Sequence, residues 1–527
     1  MTFPFIERRI AIARIIERAA VVGAFALATT CFYFLRVADP DLWWHIKVGE
    51  LIATTGTAPA TDPYSFTAAN RAWIDHEWAT HLIFYKIYDL WGGMGLTTFK
   101  TLLGAATAVL LYLLASTPHS GTRLMVFLLA AQILGHYAVY RPQVISYFFL
   151  SLLLYFLAMR ASVHQTRSMI AIPLVFLLWA NLHGGFVAGL AILGLHTVLA
   201  TWRGFFKAGA RSEQRAKAKR LVFILAASIA ITLVNPYGFQ LWRFLSHEAT
   251  ANALNRAYIE EWEPLWASFP AVGLDSGLML WMAILALVGF VLSRHEWRAE
   301  DIILAIASFG FAFYSVRNIA LFPLVTVAPT ARSLGNYMFK AQHSPKTRRL
   351  FAAAFGISLF PVLMTATLTL QQPAPKIQVV SELIGGDPSG VVSFMKTNHL
   401  EGNLYNPIGW GGYLVWHVWP QVKVSIDGRS STVYPLEVLR DNFRFYANQA
   451  SPELPLASGA DFLLVNANSP VLQSVRTDHR WALAYEDRQA VLFAGTTAAG
   501  QRLMRLIKQR PQIYTGGRPS GSSHRFP

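Results

Sequence analysis

At 527 residues the chain is long enough for two or three soluble domains, but 14% charged and 54% apolar residues, with mean hydropathy +0.37, exclude that organisation; a soluble protein carries about 25% charged residues. The formal net charge of +16 does not indicate nucleic acid, because Lys and Arg lie in loops between apolar runs and form no stripe. The one cysteine, Cys31, sits inside the first apolar run and rules out an internal disulfide or thiolate metal cluster.

In chain order, the basic start (Arg8, Arg9, Arg14, Arg18) leads into the apolar run Ala19 to Leu35. That run approaches a full span, and no small-x-small cleavage site follows, so an uncleaved anchor is expected. Further apolar runs begin near Gly95, Arg123, Gln143, Met169, Gly185, Leu221, Ser276, Asp301, Asn318 and Leu350, giving about eleven spans at roughly 20 residues each. The Arg-rich start puts the N-terminus in the cytoplasm, and an odd number of crossings puts the tail outside. The loops agree: those assigned to the cytoplasm, including Arg203 to Arg220 and Arg332 to Arg349, hold about 21 Lys and Arg, against about 8 outside.

The expected organisation is a transmembrane region over 1–370 with its first outside loop at 36–94, an extracytoplasmic α/β domain over 371–500, and a partly disordered tail over 501–527. The domain follows the proline-containing segment Gln371 to Pro375. Strands are predicted at Val422 to Ile426 and Phe462 to Asn466, and a helix at Leu436 to Tyr446. Thr515 to Pro527, rich in Gly, Ser, Arg and Pro, is expected to be disordered.

The first outside loop carries the densest chemistry. It opens Asp39-Pro40-Asp41-Leu42-Trp43-Trp44-His45, followed by Asp62-Pro63-Tyr64-Ser65 and Trp73-Ile74-Asp75-His76-Glu77-Trp78. Two acids two residues apart can share a cation or divide base and orienting roles; the alternative is a turn capping the helix from Leu42 to Ile52. His45, one turn past Asp41, can face the same cleft. Asp75, His76 and Glu77 can supply a metal ligand or second acid, or simply cap the amphipathic stretch Trp78 to Trp91.

Polar residues also punctuate outer span ends: Tyr140-Arg141-Pro142-Gln143, Asn181-Leu182-His183-Gly184-Gly185 and Val316-Arg317-Asn318. Ionisable groups near membrane depth are costly and point to function. Arg141 and Arg317 suit bidentate binding of a phosphate, or snorkelling to lipid phosphates, or an ion pair with Asp39 or Asp41. The glycines after His183 permit a tight turn or close backbone approach. In the tail, Gly409-Trp410-Gly411-Gly412-Tyr413 can form a ligand-contacting turn. Asp427-Gly428-Arg429 places a carboxylate and a guanidinium at a strand edge, to bind or to pair with each other.

Taken together, the acidic, aromatic first loop, the many spans, the polar outer span ends and the tail resemble the GT-C class of membrane glycosyltransferases. The quoted first-loop segments, Arg141-Pro142-Gln143, Asn181 to Gly185 and the late Gly411-Gly412-Tyr413-Leu414 with Asp427-Gly428-Arg429 are similar to a bacterial membrane-protein family grouped with them. The resemblance implies a mostly α, polytopic fold in a bacterial inner membrane. It implies sugar transfer, with inversion, from a polyprenyl-phosphate-linked donor to an envelope glycan or other acceptor on the periplasmic side. Asp41 or Asp39 would be the base for the acceptor hydroxyl, and Arg141 or Arg317 the partners of the donor phosphate. His45, Asp75, Glu77, His183, Asp427 and Arg429 are the expected substrate-binding residues. Oligosaccharyltransferases of the class carry an acidic metal motif in a later loop and Trp-Trp-Asp-Tyr-Gly in the tail. Here the Tyr140–Gln143 turn has no acid and the tail reads Gly-Trp-Gly-Gly-Tyr, so a reaction without a metal or other cofactor is expected, a divalent metal being the alternative. Membrane lipid and the lipid-linked donor are the expected partners, with no nucleic acid. Two other functions fit the same features: a transporter or flippase of a lipid-linked substrate, and a non-catalytic membrane protein of envelope assembly. Polar groups at span ends rather than mid-membrane favour the transferase over the transporter.

Overall fold

The computed structural model describes residues 3–34, 37–38, 40–158, 171–206, 212–250, 262–268, 273–341, 343–371, 378–379 and 388–509. Asp39, most of the Gln371 to Pro375 segment and the Thr515 to Pro527 tail lie outside the described residues.

Each predicted apolar run is helical. The helices are α1 (Phe3–Phe34), α3 (Trp78–Leu114), α4 (Ser120–His136), α5 (Gln143–Ala158), α6 (Ile172–Leu182), α7 (Phe186–Thr201), α8 (Ser212–Ile231), α10 (Gly273–Leu292), α11 (Ala299–Tyr314), α12 (Leu321–Ala341) and α13 (Pro345–Gln371). Among the described residues, three helices are long and apolar enough to cross a membrane: Trp78–Leu114, Phe186–Phe206 and Pro345–Leu368. Gln143–Ala158, Ile172–Leu182 and Ser276–Leu292 are apolar but shorter. Length and hydropathy thus support three of the about eleven expected spans among the described residues. Several helices are shorter than the 30 Å hydrocarbon thickness asks at 1.5 Å per residue, and α8 begins at Ser212, winding part of the basic 203–220 loop into helix.

The chain forms two compact units. The first comprises 1–36, 97–235 and 259–375. Its centre is α4, buried from Met125 to Gly135, against which α1, α12 and α13 pack. Such an all-round apolar helix needs partners on every side. Gln132, a polar residue in that apolar helix, donates to Thr365 Oγ1 of α13 at 2.8 Å, as a buried amide requires.

The second unit comprises 37–96, 236–258 and 376–527, so the first loop and the tail fold together. The loop contributes α2 (Leu42–Thr55) and the start of α3. A left-handed Gly92 (φ 58°, ψ −154°) breaks α3 shortly before the unit boundary at Leu96, which glycine alone tolerates cheaply. The middle segment contributes α9 (Phe239–Thr250). The tail has α14 (Ser389–Thr397), β3 (Gly402–Tyr405), α15 (Ile408–Val418), β4 (Val422–Val424), α16 (Leu436–Tyr446), β5 (Phe462–Asn466), β6 (Trp481–Glu486), β7 (Ala490–Gly495) and α17 (Ala498–Gln509). α17 carries helix into the 501–527 segment expected to be partly disordered. The short strands β1 (Val37–Ala38) and β2 (Gln378–Val379) pair in parallel. The main sheet runs β4-β3-β5-β7-β6, with β4, β3 and β5 parallel and β7 and β6 antiparallel. β5 and β7 are buried along their length, the pattern of central strands covered on both faces. The edge strand β4 does not end the sheet: Phe66 N donates to Val424 O (3.1 Å) and Val424 N to Tyr64 O (3.3 Å), so the first loop extends it.

Candidate active site

Asp41 stands at the N-terminal end of α2, yet its side chain makes no capping hydrogen bond; the backbone carries the turn, with His45 N donating to Asp41 O at 3.1 Å. Its carboxylate instead lies over Gly428, so close that a Cβ on that residue would occupy the place of Asp41 Oδ1. The same Cβ would stand 3.1 Å from Trp44 Nε1. That indole N–H is buried and has no hydrogen-bond partner among the described residues. A carboxylate and an unsatisfied donor thus converge over a residue that must lack a side chain.

The approach is built by glycines. Residues 409–413, anticipated as a ligand-contacting turn, lie within the helix α15, which packs on α2. A Cβ on Gly412 would stand 2.9 Å from Pro40 O, and one on Gly411 would collide with Ile426 O and the Asp427 backbone. Trp43 meets Tyr413 edge-on at 5.5 Å between centroids, closing the seam with apolar rings.

Beneath Gly428 lies an ion-pair network. Arg429 donates from Nε to Asp427 Oδ1 (2.9 Å), from Nη2 to Asp427 Oδ2 (2.7 Å) and from Nη1 to Asp62 Oδ1 (2.7 Å). Tyr434 OH donates to Asp427 Oδ2 at 2.9 Å, while Asp62 also accepts from the backbone N–H groups of Tyr64 and Ser65, each at 3.1 Å. The guanidinium lies 4.8 Å from the Trp73 ring centroid and 5.0 Å from that of Tyr64. Burial works against the charge on Arg429, but Asp427 and Asp62 outweigh it and hold the group protonated well above its ordinary value. All three ion-paired side chains are 0% exposed. Asp427 and Arg429, expected to bind substrate, are buried in this fork, which tethers the first loop to the tail beside Gly428. Asp62 is the member that sequence reasoning passed over, its signal being an Asp-Pro-Tyr-Ser turn whose acid has more to satisfy than the turn itself.

His45 and Asp75, expected to bind substrate, are likewise buried, each 2% exposed. His45 Nδ1 lies 2.9 Å from His81 Nε2, and His81 Nδ1 lies 2.9 Å from Asp75 Oδ2. Asp75 Oδ1 also accepts from Glu77 N at 3.2 Å, the capping role weighed from sequence. Glu77 Oε2 approaches His81 Nε2 to 3.6 Å. His81 was missed; four residues after Glu77, it falls on the same helical face.

The remaining candidates belong to the first unit. His183 Nδ1 accepts from Gly185 N at 2.9 Å and pairs with Ser146 Oγ at 2.6 Å, and Ser146 Oγ accepts from Trp179 Nε1 at 2.7 Å. This pattern assigns the imidazole proton to Nε2. A Cβ on Gly185 would collide with Ser146 Oγ, which is the close approach its glycine permits. Arg141, half-buried, enters α5 through a turn in which its N–H donates to Val139 O at 2.8 Å. Arg317 sits 4.9 Å over the Trp262 ring. Lys100, also unforeseen, is buried in α3 with its ammonium 4.3 Å over the Tyr140 ring, and Tyr140 OH pairs with Thr97 Oγ1 at 2.8 Å.

The fold is similar to that of ArnT. Among solved structures, ArnT from Cupriavidus metallidurans bound to undecaprenyl phosphate matches with TM-score 0.51 and 13% identity, over 91% of this chain and 98% of that one. The same enzyme in its apo state matches with TM-score 0.51 and 14% identity, over 93% and 99%. The Archaeoglobus fulgidus oligosaccharyltransferase in its apo form gives TM-score 0.49 and 10% identity, over 90% and 74%. Identities this low establish the fold alone. No family model and no curated protein matches the sequence.

Proposed function

We propose that the protein is an inverting membrane glycosyltransferase that moves a sugar from a polyprenyl-phosphate-linked donor to an acceptor of the cell envelope. In this reading it lies in a bacterial inner membrane with about eleven crossings, and the second unit faces the periplasm. The observation that carries the proposal is the convergence of Asp41 and the unsatisfied Trp44 Nε1 over Gly428, in a fold shared with a protein solved with undecaprenyl phosphate bound.

Asp41 takes the proton of the acceptor hydroxyl as its oxygen attacks the anomeric carbon, and the bond to the donor phosphate breaks on the opposite face. Trp44 Nε1 donates to an oxygen of the acceptor and aligns it. Arg141 and Arg317, which belong to the first unit, are the proposed partners of the donor phosphate, as the resemblance implies. No metal is placed at the reacting atoms, since the turn at Tyr140–Gln143 offers no second carboxylate.

The test is turnover of polyprenyl-phosphate sugars by the purified full chain, read as release of polyprenyl phosphate. Asp41→Asn should lower release by about 10²–10⁴-fold, the usual loss of a general base. Folded wild-type protein inert toward a panel of hexose and pentose donors, offered with envelope lipid and glycan acceptors, would overturn the reading.

A further inference from the structure

One turn along α2 from Asp41, His45 faces Glu77 and His81 at the start of α3. One ligand-capable atom from each lies within 4.8 Å of the others, and all three residues are buried. Asp75 holds the Nδ1 of His81 at 2.9 Å, which leaves its Nε2 lone pair turned toward His45 and Glu77. A carboxylate fixing the far nitrogen of an imidazole is the arrangement that orients a metal-ligating histidine and raises its basicity.

We propose that His45, Glu77 and His81 bind a divalent transition-metal ion of the zinc class, which ties α2 to the start of α3 and so fixes the base of the helix that presents Asp41. Two imidazoles and a carboxylate are donors for Zn²⁺, Ni²⁺ or Fe²⁺ rather than for Mg²⁺ or Ca²⁺, which take oxygen. Donor atoms bound at about 2.0–2.1 Å in a tetrahedron stand about 3.3 Å apart. His81 Nε2 is 2.9 Å from His45 Nδ1 and 3.6 Å from Glu77 Oε2, distances that bracket this spacing. The third pair, His45 with Glu77, lies within 4.8 Å.

Charge points the same way. Asp75 and Glu77 bring two carboxylates into a buried pocket, 2% and 9% exposed. A dication held between them balances both. The surroundings are apolar and aromatic: the ring centroids of Trp44 lie 3.8 Å from His45 and 5.1 Å from His81, and Phe84 lies 6.2 Å from His45. A closed site of this kind serves structure, so the inference does not depend on the glycosyl-transfer reading, and no donor or acceptor is needed to test it.

The full chain, purified in detergent and dialysed against metal-free buffer, should retain about one equivalent of metal per chain, and Co²⁺ exchanged into it should show the visible absorption of a four-coordinate ion. Asp41→Asn should retain both. His81→Ala should lose the metal and the cobalt spectrum. Asp75→Asn keeps every ligand and should weaken Zn²⁺ binding about 10–100-fold, which separates loss of the site from loss of the fold. A strong chelator should lower the wild-type unfolding temperature, and Zn²⁺ should restore it. Folded wild-type protein with less than about a tenth of an equivalent and no thermal response to Zn²⁺ would overturn the proposal. So would undiminished binding in both His81→Ala and Asp75→Asn, which would put the metal elsewhere.

Discussion

Arg429 is the residue on which most of the second unit's polar chemistry closes. Two buried carboxylates from segments 365 positions apart share its guanidinium, and neither has water to turn to. Removing one partner of such a pair costs about 3–5 kcal/mol, because the charge left behind stays buried. Arg429→Met is therefore expected to lower the unfolding midpoint of the full chain sharply, with Arg429→Lys intermediate because an ammonium cannot fork to both acids. An unshifted midpoint in denaturant titration would contradict this. Far from the site, the Arg480 side chain hydrogen-bonds Asp478 and holds its carboxyl down to about 2. The folded value lies below the unfolded one near 3.9, so this pair's contribution is present above about pH 4 and is lost as pH falls toward 2. The gap in unfolding temperature between wild type and Asp478→Asn should close over that window. Trp44→Phe keeps an aromatic ring but removes the indole donor; it should reduce turnover about 10-fold.

Among the elements, the seam of α2 with α15 and the Asp427–Arg429 strand exit depends on what is missing from Gly411, Gly412 and Gly428. Gly428→Ala should displace the Asp41 carboxylate and cut turnover at least 10-fold, with far smaller change in unfolding temperature; equal turnover would separate Asp41 from the chemistry. The sequence displays such elements unevenly. Phe462 to Asn466 and Leu436 to Tyr446 were readable residue for residue, because a run of buried apolar side chains and a strongly amphipathic helix each have one period. Ile408 to Val418 was not, since three glycines within five residues read as a turn until a neighbouring helix is seen to need the space. The acidic, aromatic setting of Asp41 was legible, whereas the pairing of Asp427 with Arg429 was left open, because pairing and binding use the same residue types. His81 and Lys100 were hidden inside an apolar helix.

For the molecule as a whole, one consequence of the second unit's composition is directly testable. Thr57 in the first loop and Ser458 in the tail are both exposed. In a Cys31→Ser background, cysteines placed at either position should react with an impermeant maleimide from the same side of the membrane, and one at the exposed Lys219 from the other. Thr57 and Ser458 reporting on opposite sides would dismantle the second unit as described, and the site with it.

That unit also imposes an order on biosynthesis. Asp62 emerges early from the ribosome, yet the guanidinium it pairs with is made 367 residues later, and Gly428, on which Asp41 rests, arrives just before it. Until then the loop holds a surplus of negative charge and an incomplete sheet edge. A nascent chain stalled ahead of Val422 should expose the loop to protease while its membrane helices are already inserted.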